Sequence, residues 1–489
     1  MSVELPLLPP NQNLDNSSLF AHMTKLQDCY LVPILPESGK YEINKRFGLK
    51  LFMDLGTGQK VDGLHWSEKQ QSLFMASGGE QYKTTDRFGA NKTDITGVGL
   101  TAGEDVEYAE TVRAGDWVLL IADGGQLKHV GAVGDVANVV NTGSAIIPNQ
   151  VPSVAVLDGF VIIFGKESNE FFFSYPFQYD RFDVGDAYTA EMAVDDILNI
   201  KVIDRRLNIF GKSSIETWYN AGQAGDPFVR RLSGVFHGNG LYAEKILSVL
   251  TFQGRDAAYF LDKNRKLVKL EGNSAVEVGT SYDRFIQSLD RISDGYSSVI
   301  TAGNKVLFSM TFPQEKLTLI YDPEVGCFYE WGSYNENTAQ YNIFTGGKSV
   351  YCREWNKHLI GSNTDGKIYE ISPDYSTDNG NTIRAYMETG HINFGDMSRI
   401  KGSSGLKIAL KRGVGKEGNV HATPFLRHRK MDNGRFWGNF RSISLGKQGD
   451  TALIRQVYRQ GGAFFTRKHQ IVMPDAAPVA ISGMWEEVY

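Results

Sequence analysis

The sequence predicts an all-β protein: a β-propeller of about six to seven blades, with an extended N-terminal arm and a C-terminal β-sandwich domain. Three observations carry this prediction. Short runs rich in Val, Ile, Phe and Tyr recur and end at Gly, Asn, Asp or Ser, as strands do. Glycine accounts for 52 of the 489 residues, more than the roughly 7 % of an average protein, which fits many tight turns. The third observation is an internal repeat.

The repeat indicates the blades. Asp158–Glu170 matches Asp204–Glu216 at an offset of 46 residues, with Asp, Ile, Phe, Gly, Lys, Ser and Glu at equivalent positions. Leu73–Gly79 and Leu119–Gly125 match at the same offset. The apolar anchors of successive units lie 43 to 52 residues apart: Met75, Ile121, Phe164, Phe210, Leu261, Phe308 and Ile360. This spacing is typical of propeller blades, because one small sheet cannot bury both of its faces alone.

The N-terminal part, residues 1–60, precedes the repeats. It begins with a Pro- and Asn-rich stretch that cannot form a core of its own, so we expect an extended arm. Two apolar runs in it, Tyr30–Ile34 and Leu49–Leu55, are strand-like. We expect these strands to close the propeller ring.

The remaining chain divides into the propeller, residues 61–375, and a C-terminal domain, residues 376–489. Within the propeller, Ser281–Ile292 places four apolar residues on one helical face, which predicts a short helix. A polar, turn-rich segment marks the boundary between the two domains. Beyond it, short alternating stretches with Gly turns predict a separate basic β-sandwich that serves for docking.

The formal charge of −5 conceals a strongly asymmetric distribution. Residues 380–489 hold 17 Lys and Arg against 8 Asp and Glu, whereas the first 379 residues hold 34 against 48. The chain therefore joins an acidic part to a basic part, and such asymmetry is informative about binding partners.

The compartment follows from what the sequence lacks. No apolar run approaches the roughly 18 residues of a membrane helix, and no basic patch followed by an apolar stretch opens the chain. Cys29, Cys327 and Cys352 show neither a disulfide framework nor zinc-ligand spacing. We expect assembly in a reducing cytoplasm without membrane insertion.

The sequence does not meet the motifs for catalysis, cofactor binding or metal binding. Gly413–Gly418 has GxGxxG spacing, but the residues after it make a poor helix start, and a dinucleotide site needs a helix N-terminus there. The nine histidines lack paired metal-ligand spacing. Some carboxylate pair will face a cleft among 56 acidic residues, so a pair alone is no argument for hydrolysis. We expect no catalytic residue, cofactor or metal.

The candidate site residues are the cations of the C-terminal domain, which alternate with aromatic residues. They are Lys407, Lys411, Arg412, Arg427, Arg429, Lys430, Arg435, Arg441, Arg455, Arg459, Arg467 and Lys468. Such a pattern fits a nucleic-acid surface, a surface that docks on an acidic protein neighbour, or an ordinary solvated face. The residues alone leave these three interpretations open.

Several stretches, in the same order along nearly the whole chain, resemble one family: the tail hub or nozzle protein of short-tailed bacteriophages, also called packaged DNA stabilization protein. The similar stretches are Cys29–Pro33, Lys45–Leu49, Leu207–Tyr219, Leu319–Asp322 and Asp365–Tyr369. The order of these stretches carries the resemblance. The sequence departs from the family pattern where Phe47 replaces the usual proline before a glycine.

The resemblance implies a non-enzymatic virion protein, assembled in the host cytoplasm and located in the tail. It implies a homo-oligomer, a ring of six copies below the portal and its adaptor, which extends the channel for packaged double-stranded DNA. A tail needle or plug and fibres or spikes attach to such hubs. The residues alone also allow a propeller that degrades or binds glycans, with a carboxylate pair in its funnel, or an intracellular interaction scaffold.

Overall fold

A computed structural model describes residues 2–5, 7–10, 23–35, 40–190, 195–223, 227–396, 398–450, 454–458 and 462–489. Strands dominate these residues, and nearly all of them pair antiparallel. One short helix occurs in the described part of the chain. The all-β prediction is therefore confirmed.

The N-terminal strands and the strands of the first five sheets follow in chain order. Five strands precede the repeats: β1 (Ser2–Leu5), β2 (Met23–Gln27), β3 (Cys29–Leu35), β4 (Lys40–Lys45) and β5 (Gly48–Asp54). Five four-stranded sheets come next: β6 (Val61–Ser67), β7 (Ser72–Ser77), β8 (Glu80–Thr84), β9 (Thr93–Asp94); β10 (Glu107–Arg113), β11 (Asp116–Ala122), β12 (Lys128–Gly131), β13 (Ala137–Asn138); β14 (Val154–Leu157), β15 (Phe160–Phe164), β16 (Glu170–Phe173), β17 (Ala187–Thr189); β18 (Ile197–Ile203), β19 (Arg206–Gly211), β20 (Ser214–Asn220), β21 (Phe228–His237); β22 (Leu247–Phe252), β23 (Arg255–Leu261), β24 (Leu267–Glu271), β25 (Ser274–Glu277).

The remaining elements complete the ring and build the C-terminal domain. The helix α1 (Asp283–Gln287) precedes β26 (Tyr296–Ala302), β27 (Lys305–Phe312), β28 (Leu317–Asp322), β29 (Cys327–Asn335), β30 (Gln340–Ile343), β31 (Gly346–Cys352), β32 (Lys357–Ser362) and β33 (Lys367–Ser372). The last strands are β34 (Thr377–Asp378), β35 (Asn381–Thr382), β36 (Ala385–Thr389), β37 (Ser403–Leu410), β38 (Phe425–Asp432), β39 (Arg441–Ser444), β40 (Ile454–Tyr458), β41 (Arg467–Met473) and β42 (Ala480–Val488).

The propeller has seven blades in the described structure. Strands β26–β29 form the sixth sheet, and β31–β33 form the seventh together with β5 from the N-terminus. In that last blade, β5 runs antiparallel to β33, with Leu49 opposite Ile371. The first strand of the seventh blade, β31, packs against the first strand of the first blade, β6, so the ring is closed.

The seven repeat anchors all lie on the second strand of a blade, and each is buried. This strand is flanked on both faces by neighbouring blades, so it needs a continuous apolar run and not an alternating one. In the second blade, Leu119, Leu120 and Ile121 are all fully buried. The sequence repeat therefore comes from the second strand of each blade, which is covered on both faces.

The Asp residues that open the repeated segments make hairpin turns. Asp158 and Gly159 have φ values of 50° and 87°, and Asp204 and Arg205 have 49° and 57°. Two consecutive residues with positive φ form the turn that matches the right-handed twist of paired strands. The turn therefore requires residues that tolerate this backbone, and Asp and Gly do so at little cost.

The N-terminal strands divide between two destinations. The run Leu49–Leu55 contributes β5, the outer strand of the seventh blade. The expectation that Tyr30–Ile34 also closes the ring is wrong, because this run lies in β3, which pairs with β4 and belongs to another sheet. Both runs are strand-like in sequence. β3 forms a hairpin with β4, which pairs with β42, whereas β5 pairs with β33.

The C-terminal domain is a sandwich of two sheets built from both ends of the chain. One sheet has the order β3-β4-β42-β37-β40, with β1 beside β42, and the other has the order β2-β36-β41-β38-β39. Their facing apolar residues form one core, which includes Leu31 and Ile481 from the first sheet and Met387 and Ile471 from the second. Strand β2 also lies beside β29 of the sixth blade, so the sandwich continues directly from the propeller.

Candidate functional site

The axis of the propeller holds a cavity of about 690 Å³, lined by the first strands of all seven blades. An acidic segment just before the second blade projects into it and pairs with lysines from four other blades. The ion pairs are Glu104–Lys245 at 2.8 Å, Asp105–Lys60 and Asp105–Lys348 at 3.0 Å each, and Glu107–Lys201 at 2.7 Å. The contacts with Lys201, Lys245 and Lys348 connect the second blade to blades that are not its neighbours.

The electrostatics of Glu104 and Asp105 do not fit the role of a general acid. Burial raises the pKa of Asp105, but the charges of Lys348 and Lys60 outweigh it and hold the pKa well below its usual range. The hydrogen bond from Lys245 likewise lowers the pKa of Glu104. A glycosidase needs one carboxyl group whose pKa is raised so that it can donate a proton at neutral pH. The pKa values of Glu104 and Asp105 are both lowered, which is the opposite of the shift that such a proton donor needs.

Some of the predicted basic residues are neutralised by ion pairs within the sandwich. Five of them form ion pairs: Lys407 with Glu487, Arg412 with Asp450, Lys430 with Asp432, Arg467 with Asp432 and Glu486, and Lys468 with Glu388. Arg467 and Lys468 are buried inside the domain and not on its surface. The carboxylates of these pairs belong to the same segment, so other cations carry the positive surplus of residues 380–489.

The other predicted cations have different environments. Arg429 is half-buried, and its Nε donates a hydrogen bond to Gln470 Oε1 at 2.6 Å. The exposed residues of the set are Lys411, Arg427, Arg435 and Arg441. Arg455 lies in β40, where its side chain is outside the description, and Arg459 lies outside the described residues. On the adjacent strand β39, Arg441 lies opposite His428, whereas Arg427 lies opposite Ser442, so the two arginines do not share one face of the sheet.

A buried polar network joins the two sheets of the sandwich. His469 Nδ1 lies 3.1 Å from His428 Nε2, and His469 Nε2 lies 3.0 Å from Glu486 Oε2. Arg467 pairs with the same Glu486 and, at 2.6 Å, with Asp432. Burial favours the neutral form of Glu486, but the adjacent His469 and Arg467 dominate and lower its pKa to about 2. Glu486 is therefore ionised and holds one sheet to the other.

A second buried network lies where the propeller meets the sandwich. Arg46, between β4 and β5, is fully buried and pairs with Asp28 at 2.6 Å and with Asp378 at 2.5 Å. Its Nη2 donates to the carbonyl oxygen of Gly332 in the sixth blade at 3.2 Å, and its guanidinium lies 4.9 Å from the ring centre of Phe344. One side chain thus fixes the N-terminal crossover, the sixth blade and the segment leaving the seventh.

Sequence reasoning missed both networks and the charged axis. The Glu104–Glu107 run ahead of a strand was visible, and so was a lysine near the start of several first strands, such as Lys201 and Lys348. Their convergence depends on ring closure, which brings residues from four blades to one axis. Among the described residues, no group of three or more His, Cys, Asp or Glu side chains could hold a metal ion, and no described helix is long and apolar enough to span a bilayer.

A seven-bladed propeller with an ion-paired axis and a sandwich made from both chain ends defines the class: a β-propeller protein with a fused β-sandwich. A sequence model of the phage stabilisation family, described as "Bacteriophage P22 Gp10, beta-propeller", matches residues 43–376. The chain belongs to this family of phage structural proteins, so the family prediction is confirmed. No curated protein matches the sequence.

Solved structures match this chain at low similarity. Virginiamycin B lyase from Staphylococcus aureus, with quinupristin, has 9 % identity and a TM-score of 0.42, covering 66 % of this chain and 99 % of its own. Raptor from Chaetomium thermophilum has 9 % identity and a TM-score of 0.43, covering 67 % of this chain and 29 % of its own. PorZ from Porphyromonas gingivalis has 9 % identity and a TM-score of 0.39, covering 81 % and 46 %. At these values the likenesses carry no argument about function.

Proposed function

We propose that this protein is a non-enzymatic component of the tail of a short-tailed bacteriophage. In this proposal six copies form a ring, the hub or nozzle, below the portal and its adaptor. The ring extends the DNA channel, helps to retain packaged double-stranded DNA and anchors the tail needle or plug and the fibres or spikes. The observation that carries the proposal is the match of residues 43–376 to the phage stabilisation family.

Two features of the molecule support a structural role. The ion pairs of Glu104, Asp105 and Glu107 cross-link the propeller at its axis, which suits a rigid spacer. Residues 380–489 carry a net positive charge and the preceding residues a net negative one. Opposite net charges on the two parts of one chain suit an assembly in which copies contact one another and their neighbours.

We also propose a division into units that differs from an arm, a propeller and a sandwich in series. Residues 48–54 and 61–372 supply the propeller blades, and both chain ends supply the sandwich strands. Docking of the C-terminal domain in the tail would then hold the N-terminus as well, since β1 pairs with β42.

Genome retention tests the proposed role. Phage particles would be produced in a host that does not supply this protein, and encapsidated DNA would be measured after nuclease treatment. We expect DNA to be packaged but then lost, with retention restored by the full chain supplied in trans. Particles that keep nuclease-resistant DNA without the protein would contradict the proposal. Release of reducing ends from host polysaccharide by the purified chain would instead favour the glycan-degrading alternative.

A further inference from the structure

The outer face of β38 presents arginine and phenylalanine side chains together. Phe425, Arg427 and Arg429 alternate with buried residues, so these three point to the same side of the sheet. Arg429 is covered on that side by Trp437 and Phe440, whose ring centres lie 4.9 Å and 4.4 Å from its guanidinium carbon. The loop after β38 therefore folds back over this face.

We call the exposed part of this face the arginine–aromatic surface. It consists of Phe425 and Arg427 on β38 and of Arg435, Phe436 and Phe440 on the loop that follows β38. The three phenylalanines are 42 %, 84 % and 38 % exposed in chain order, although phenylalanine is normally a core residue. Exposed aromatic and arginine side chains in one patch are typical of protein interaction sites.

The surface also carries unbalanced positive charge. Lys407, Arg412 and Lys430 are neutralised by carboxylates inside the sandwich. By contrast, Arg427 and Arg435 make no ion pair with any residue that the structure describes. The surplus charge of the C-terminal segment is therefore displayed next to exposed aromatic rings.

We propose that the arginine–aromatic surface binds the acidic propeller of a second copy of this chain. The inference rests on the proposed ring, whose copies meet head to tail through two different surfaces. A basic surface on one domain and an acid-rich remainder, with 34 Lys and Arg against 48 Asp and Glu, supply such a complementary pair. Duplex DNA would engage the arginines but offers no stacking partner for three phenylalanines, because its bases are already stacked.

Photo-crosslinking in assembled tails tests the contact. Phe436, at 84 % exposure, would be replaced by p-benzoylphenylalanine, which keeps an aromatic ring at this position. After irradiation of particles, we expect a covalent dimer of this chain whose mapped crosslink joins position 436 to residues 61–375 of another copy. A crosslink to a different tail protein or to DNA, or none at all in intact particles, would overturn the inference.

Charge reversal separates this inference from the proposed function. We expect R427E/R435E to lose ring formation with the portal–adaptor complex at least tenfold relative to the unaltered chain. The matched control, K69E/K263E, changes the net charge equally at exposed propeller positions and should still form rings. If the unaltered chain forms no ring, the proposed function fails. If it forms rings and R427E/R435E does so equally well, only the inference about this surface fails.

Discussion

At the scale of single residues, the fold depends on a few buried charges. Arg46 has both of its carboxylate partners on different segments, one before β3 and one in β34. A guanidinium suits this place because it stays protonated and presents several donors in fixed directions. Through these ion pairs and a hydrogen bond to Gly332, Arg46 connects the N-terminal crossover to the sixth blade and to the segment that follows the seventh.

Replacing Arg46 should destabilise the protein strongly. Arg46→Met leaves Asp28 and Asp378 without their cation in a buried site, and we expect a loss of about 3–5 kcal/mol in the free energy of unfolding. Arg205→Met is the matched control, because Arg205 also pairs with a carboxylate at 2.6 Å but its side chain is 82 % exposed. There the expected loss is about 0–1 kcal/mol. Equal effects in denaturant titrations would contradict the buried tie.

The sandwich network should give the protein an acid-dependent stability. The pKa of Glu486 falls from 4.5 to about 2 on folding, so its ionised form favours the folded state. That contribution is complete above about pH 4.5 and is lost as the pH falls towards 2, an effect on the order of 3 kcal/mol. We expect the melting temperature of Glu486→Gln to fall less between pH 5 and pH 3 than that of the unaltered chain. The exposed Glu336→Gln should leave that slope unchanged, and an unchanged slope in Glu486→Gln would contradict the assignment.

At the scale of elements, the acidic segment Glu104–Glu107 joins blades across the propeller axis. Asp105→Asn would remove the carboxylate that Lys60 and Lys348 share, leaving Lys60 only its longer contact with Asp62 at 3.5 Å. Because both lysines are partly exposed, we expect a loss of about 1–3 kcal/mol rather than the full cost of a buried pair. Asp196→Asn, at the exposed pair with Lys212, is the control and should cost less than 1 kcal/mol. Thermal unfolding of the two variants measures the difference.

The strand that completes the seventh blade predicts a second effect at this scale. A Cβ at Gly48, the first residue of β5, would lie 2.6 Å from the carbonyl oxygens of Tyr375 and Thr377. Backbone atoms cannot move aside cheaply, so we expect Gly48→Ala to cost about 1–3 kcal/mol. At Gly131 the nearest atom is at 3.5 Å, and alanine there should be nearly neutral. Equal stability of the two variants would mean that β5 does not fit tightly.

The predictable part of the fold was the part encoded locally. Second strands such as Leu119–Ala122 are continuous apolar runs, and the Asp158 turn is a short-range signal. The placement of β3 was not predictable, because Tyr30–Ile34 and Leu49–Leu55 look alike. The sheet that β3 and its hairpin partner β4 join is set by β42, hundreds of residues away. The candidate cations were visible as residue types. Which of them are neutralised, as Arg467 is by Glu486, depends on the two sheets meeting.

At the scale of the whole molecule, the proposed association of copies depends on the opposite net charges of the two parts of the chain. Exposed cations such as Arg427 and Arg435 attract an acidic partner over about 10 Å at 0.1 M salt and much less at 1 M. We therefore expect assembly of copies to weaken as sodium chloride rises from 50 to 500 mM. Light scattering at fixed protein concentration measures this. Assembly that strengthens with salt would indicate an apolar interface and contradict the electrostatic one.

We propose that copies of this chain form a ring at the tail end of the portal complex. Negative-stain imaging of the purified chain mixed with the portal–adaptor complex tests it most directly. We expect a closed ring with six-fold symmetry below the adaptor, in line with the DNA channel. Portal–adaptor particles that remain bare at that end, under conditions where the added chain is folded, would contradict it.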